Sequence, residues 1–125
     1  KLISDNKDLV AGVYLITAKV NGRLHILPCA YAFEKKRGYC RQLSCAEVKG
    51  SGMISIAIAG LGCALISRKV LKEISFRKFE EGGGEDAAFF IDCNRAGFET
   101  FLDKSVTCAH LVFPPGDARN KKFEL

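Results

Sequence analysis

Apolar residues in this chain come in two patterns, and the pattern changes partway along. From Leu9 to Ile16 they run almost without interruption, as in a strand buried on both faces. Asn21-Gly22 follows, the pair that favours a two-residue turn with positive φ at both positions, so the spacing predicts a hairpin returning over Arg23 to Phe33. Glu34 to Gly38 reads as a charged, solvated turn, and Tyr39 to Val48 fits neither period. Ile54 to Ile58 leans to strand. Ser67 is a good N-cap, which predicts a short amphipathic helix from Arg68 to Ile74.

Beyond Gly82-Gly83-Gly84 the period becomes helical. Ala87, Phe90, Cys93, Asn94 and Gly97 fall at near-helical spacing, Glu85 and Asp86 open the first turn, and Gly97 suits the residue after the last turn. A helix over Asp86 to Ala96 is expected. A strand is expected over Phe98 to Leu102, then a turn at Asp103-Lys104-Ser105, then a second β-leaning run from Val106 to His110. The three glycines predict a mobile loop. Phe113-Pro114-Pro115-Gly116 breaks regular structure, and Asn120-Lys121-Lys122 reads as a charged tail. These elements together give an α/β fold: a mixed sheet with a β-hairpin and short flanking helices.

Composition narrows the picture only in places. The 125 residues suit a single domain or part of one, and 48% apolar content is enough for a core and too high for a disordered chain. The net charge of +5 is compatible with anionic ligands. It is weak for a nucleic-acid binder, even one built on Lys35, Lys36, Arg37, Arg41, Lys121 and Lys122, so no nucleic-acid partner is expected. The longest apolar stretch, Met53 to Ile66, is interrupted by Ser55, Gly60 and Gly62 and is too short to span a membrane. The polar leader Lys1 to Asp8 is no signal peptide, which favours a cytoplasmic location, and a first residue other than Met suggests a cut or processed chain. The six cysteines show no Cys-x-x-Cys spacing. Free thiols are favoured over a disulfide framework, with Cys40 and Cys45 close enough in sequence to bridge or to share a metal.

Taken in order, Gly84-Glu85-Asp86, Ala96-Gly97 and the Val106 to His110 run resemble the later half of a GT-A-fold, family-2-like glycosyltransferase. Gly60-Leu61-Gly62, leading through Ser67 into an Arg-bearing helix, adds to the likeness, which extends over roughly Leu9 to Leu111. The resemblance implies transfer of a sugar from a nucleotide-sugar donor to an acceptor hydroxyl. It implies Asp86 as general base with Glu85 beside it, Gly84, Gly60 and Gly62 at the substrate, and His110 as ligand to a divalent cation, Mn²⁺ or Mg²⁺. A helix N-terminus favours a carboxylate at Asp86. For Gly60 and Gly62 the other reading is tight strand packing, and His25 reads as structural. The family's nucleotide-binding half and its Asp-x-Asp are missing here, so the isolated chain is expected to be inactive. A non-catalytic assembly module derived from such a half-domain is the alternative, and an exposed sheet edge would favour self-association.

Overall fold

The computed structural model describes residues 1–78 and 84–125. Three sheets and a few short helices make a mixed α/β domain. The first sheet has four strands in the order β6-β9-β1-β8: Met53–Ile56 (β6), Thr100–Thr107 (β9), Leu9–Val13 (β1) and Ala64–Ile66 (β8). Strands β1 and β9 run parallel and the other two pairings are antiparallel, as the expected mixed sheet requires. All five residues of β1 are buried, which accounts for their unbroken apolar run. The core gathers Leu9, Ala11 and Val13 of β1 with Leu102 of β9 and with Phe89, Phe90 and Cys93 of a helix over Glu85–Arg95.

The hairpin forms as expected, between Leu15–Val20 (β2) and Arg23–Pro28 (β3), with φ of 49° at Asn21 and 79° at Gly22. The longer strands predicted on either side of it do not form. Leu9 to Ile16 is broken at Tyr14, and Arg23 to Phe33 is broken at Cys29. The two breaks lie opposite one another, joined by the Cys29 N–H donating to the Tyr14 carbonyl at 3.0 Å. There the chain leaves one sheet for another. Ala30–Glu34 (β4) joins a separate three-stranded sheet with Tyr39–Gln42 (β5) and Ile58–Ala59 (β7). The Ile54 to Ile58 run likewise divides at Ala57, β6 serving the first sheet and β7 the third.

Short helices follow Ser44 and Ser67. Cys45–Val48 (α1) carries a capping box, with Ser44 and Glu47 each satisfying the other's backbone N–H. Glu47 also takes Arg41, and these contacts, led by the Arg41 hydrogen bond, lower its pKa to about 2. Arg68–Glu73 (α2) ends one residue before the predicted end, with Ser67 accepting from Val70 N–H. The third helix, Glu85–Arg95 (α3), begins one residue earlier and ends one earlier than the predicted Asp86 to Ala96. Gly97 follows at φ 88°, and Phe98 N–H closes back on the Cys93 carbonyl. Lys1 to Asp8 holds one 3-10 turn, Leu2–Asp5, and the charged tail is in part a 3-10 helix, Ala118–Phe123, with Phe123 buried. Gly82 and Gly83, where a mobile loop was expected, lie outside the described residues.

The expected turn at Asp103-Lys104-Ser105 is a bulge inside one strand. Partner residues step from Gly12↔Asp103 to Val13↔Thr107, so β9 carries extra residues there and continues in the same direction. Asp103 makes the bulge by accepting from the Ser105 N–H at 2.9 Å and the Ser105 hydroxyl at 2.6 Å. Lys1 Nζ donates to it at 2.8 Å. Burial pushes the Asp103 carboxyl up, but the Lys1 and Ser105 bonds outweigh it and hold the pKa below the usual carboxylate range. An acid with a depressed folded-state pKa stabilises the fold above its unfolded pKa, about 4, and stops doing so as pH falls through the folded value. Asp103→Asn is therefore expected to cost about 2–3 kcal/mol at pH 7. The gap to wild type should narrow steadily below about pH 4. Urea unfolding of both proteins at pH 7 and pH 3 measures it, and a gap unchanged between the two would contradict this role.

Candidate functional site

At the break, the Tyr14 ring is met by three of the six predicted site residues, Gly60, Gly62 and His110. Gly62 N–H donates to Tyr14 Oη at 3.3 Å. Gly60 is packed so tightly that a Cβ there would lie 1.8 Å from Tyr14 Oη and 2.6 Å from Cys29 Sγ. A Cβ on Gly62 would meet Tyr14 Cζ at 2.9 Å. Neither glycine has positive φ. Both are needed for space, so the tight-packing reading describes them, and what they pack against is the Tyr14 ring.

His110 reaches the same ring, edge to face at 5.7 Å between centroids. It stands past the end of β9, exposed, with Nδ1 3.1 Å from the Leu15 carbonyl and its ring 6.1 Å from Phe123. In the tautomer that donates Nδ1–H to Leu15, Nε2 is left with its lone pair, the arrangement that anchors metal-bound histidines. The ring is thus fit to serve as one ligand. Among the described residues, no three of His, Cys, Asp and Glu gather as a metal cage.

Asp86 sits in the first turn of α3, half-buried. One carboxylate oxygen accepts from Ala87 N–H at 2.8 Å and would lie 2.6 Å from a Cβ on Gly84. Gly84 is the N-cap at φ −79°, so absence of a side chain, rather than left-handed backbone, is its contribution. No lysine or arginine among the described residues forms an ion pair with Asp86. Its negative charge is felt at the cluster. The Tyr14 phenol is pushed well above its ordinary value by burial first, then by its hydrogen bond with Cys29, with Asp86 adding to the shift against the opposing Gly62 N–H. Burial also raises the Cys29 thiol, partly offset by Tyr14, with Asp86 again adding. Tyr31 is raised by burial, then by Cys29 and Asp86. The phenol and thiol are therefore neutral hydrogen-bonding groups.

Glu85 is exposed, and no partner is seen for it among the described residues. His25 lies opposite Ala18 on the exposed hairpin, apart from the cluster. Tyr14 and Cys29, which hold the cluster together, are not apparent from the sequence.

A cleft of about 840 Å³ opens elsewhere, lined by Phe33, Tyr39 and Ile58 with Ile91, Asn94 and Arg95 near the C-terminal end of α3. None of the Tyr14 cluster lines it. No helix among the described residues is long and apolar enough to cross a membrane. No family model matches this sequence, no curated protein matches it, and no solved structure matches its fold.

Proposed function

We propose that this chain is the acceptor-side half of a GT-A-like glycosyltransferase, in which Asp86 takes the proton from an acceptor hydroxyl as the sugar leaves its nucleotide diphosphate. One observation carries the reading. The Gly60–Gly62 turn and His110, drawn from separate segments, meet on Tyr14, and Asp86 stands in the first turn of α3 beside Gly84, which carries no side chain. A general base must be a carboxylate or its equivalent within hydrogen-bond reach of the proton it takes. No lysine or arginine among the described residues pairs with Asp86, and Gly84 leaves room beside it. Gly60 and Gly62 hold the wall against Tyr14, and Glu85 stands exposed on the acceptor side of Asp86.

His110, anchored through Nδ1, would hold a divalent cation with help from the donor's phosphates. Such a cation supplies positive charge for the leaving diphosphate. The nucleotide-binding half belongs to a separate part of the complete enzyme. Strand β8 pairs with β1 alone, and no strand among the described residues adds to its outer edge, which is where a further sheet would continue.

The test is to add uridine and guanosine diphosphate sugars with Mg²⁺ to the complete enzyme and follow backbone amide shifts. The largest changes are expected at Gly60, Gly62, Glu85 to Ala87 and His110, with Mn²⁺ in place of Mg²⁺ broadening the His110 signals. Changes confined to the Phe33, Tyr39 and Asn94 cleft would contradict the proposal and favour a non-catalytic module.

A further inference from the structure

Cys63 and Cys108 are 45 residues apart in sequence, yet their sulfurs are 2.9 Å apart. All six cysteines are free thiols, and no other thiol pair among the described residues is in such contact. The approach is built into the sheet. Cys63 ends the 3-10 turn that carries Gly62, and its sulfur lies against the backbone of Gly12, where a Cβ would stand only 2.6 Å from it. The same missing side chain leaves room for Val106, whose Cγ1 would be 2.8 Å from that Cβ. Cys108 is fixed from the other side by donating its N–H to the Val13 carbonyl at 2.8 Å. The two sulfurs are thus held together by two neighbouring residues of β1, Gly12 and Val13, and not by mobile side chains alone. Cys40 and Cys45, the pair closest in sequence, do not meet: the Cys45 thiol faces the Ile26 carbonyl at 3.8 Å.

We propose that Cys63 and Cys108 form a redox dithiol that closes to a disulfide across the base of the candidate site. Cys63 adjoins Gly62, and Cys108 lies two residues before His110, so the bond would pin the glycine turn to the histidine segment, both of which contact Tyr14. Closure uses a small-molecule disulfide as oxidant. The exposed Cys108 thiolate attacks one of its sulfurs, forming a mixed disulfide and releasing one small thiol. The Cys63 thiolate then attacks the Cys108 sulfur and expels the second small thiol. The two protein sulfurs together give up two electrons, and the oxidant's S–S bond is reduced to two thiols that carry away the two protons. The order of attack follows from access: Cys108 is exposed and Cys63 is not. Burial, then the Cys108 hydrogen bond, raises the Cys63 pKa to about 11 against the opposing Gly12 N–H, which disfavours Cys63 as the first attacker; its later attack relies on being held against the Cys108 sulfur.

The effect on sugar transfer rests on the function proposed above, but the bond itself does not, so the test reads covalent chemistry. The full chain is incubated with oxidised glutathione, alkylated without reductant, digested and examined by mass spectrometry. A Cys63–Cys108 cross-linked peptide is expected as the main oxidised product. The oxidised protein should melt higher by on the order of 10 °C, because the bond closes a long loop in the unfolded chain. In Cys63→Ser, which keeps a side chain of similar size, a stable glutathione adduct should instead accumulate on Cys108. Wild-type protein that accumulates that adduct and forms no Cys63–Cys108 link would overturn the proposal, as would preferential linkage of any other pair.

Discussion

Asp86→Asn in the complete enzyme is expected to lose about 10²- to 10⁴-fold in turnover, the usual contribution of a positioned general base. The substitution isolates that role. Asparagine has the shape of aspartate, and its side-chain oxygen can still accept from Ala87 N–H, so the first turn of α3 should keep its start. What it cannot do is accept a proton from a hydroxyl in the transition state. A residue acting only on the chemical step changes turnover and leaves donor affinity alone. If Asp86 were merely a first-turn carboxylate, the substitution would cost a fraction of a kcal/mol in stability and nothing in rate.

Gly60→Ala is expected to destabilise the fold by about 1–3 kcal/mol or more, as overpacking a filled interior does. The added methyl would overlap Tyr14 Oη at 1.8 Å and Cys29 Sγ at 2.6 Å, and the chain around Gly60 is buried and bonded to Cys29 through its N–H at 3.0 Å. Tyr14→Phe alone should cost only about 1 kcal/mol, from the lost hydrogen bonds to Gly62 N–H and Cys29. Combined, the two should cost less than their sum, because the phenylalanine removes the oxygen nearest to the methyl. Urea unfolding of wild type, both single variants and the double variant gives the coupling. Strict additivity would mean that Gly60 is not packed against the phenol.

How much of this was legible in advance depends on the range of the interaction. Asn21-Gly22, Ser67 and Gly97 were readable because turn and cap chemistry acts over a few residues and had no competitor. The capping box at Ser44 and Glu47 was present in the sequence too, but lay inside a stretch with no clear period. The Asp103 to Ser105 stretch has turn chemistry, and its local hydrogen bonds do form. What they produce is a bulge, because the strand goes on and Thr107 pairs with Val13 of β1. The breaks at Tyr14 and Cys29 follow from where sheets part, and apolar residues on either side look the same in both sheets. The acidic start of α3 could be recognised from its own residues. That Gly60, Gly62 and His110 meet on one tyrosine, and that Cys63 meets Cys108, depends on contacts across tens of residues, which periodicity does not encode.

The central claim is that Asp86 is the base at a sugar-transfer site. The most direct measurement is glycoside formation and donor dissociation constant, taken side by side on wild-type and Asp86→Asn preparations of the complete enzyme. The expected result is donor affinity within a few-fold of wild type, with glycoside formation reduced by about 10²-fold or more. Wild-type turnover in the Asp86→Asn enzyme would contradict the account.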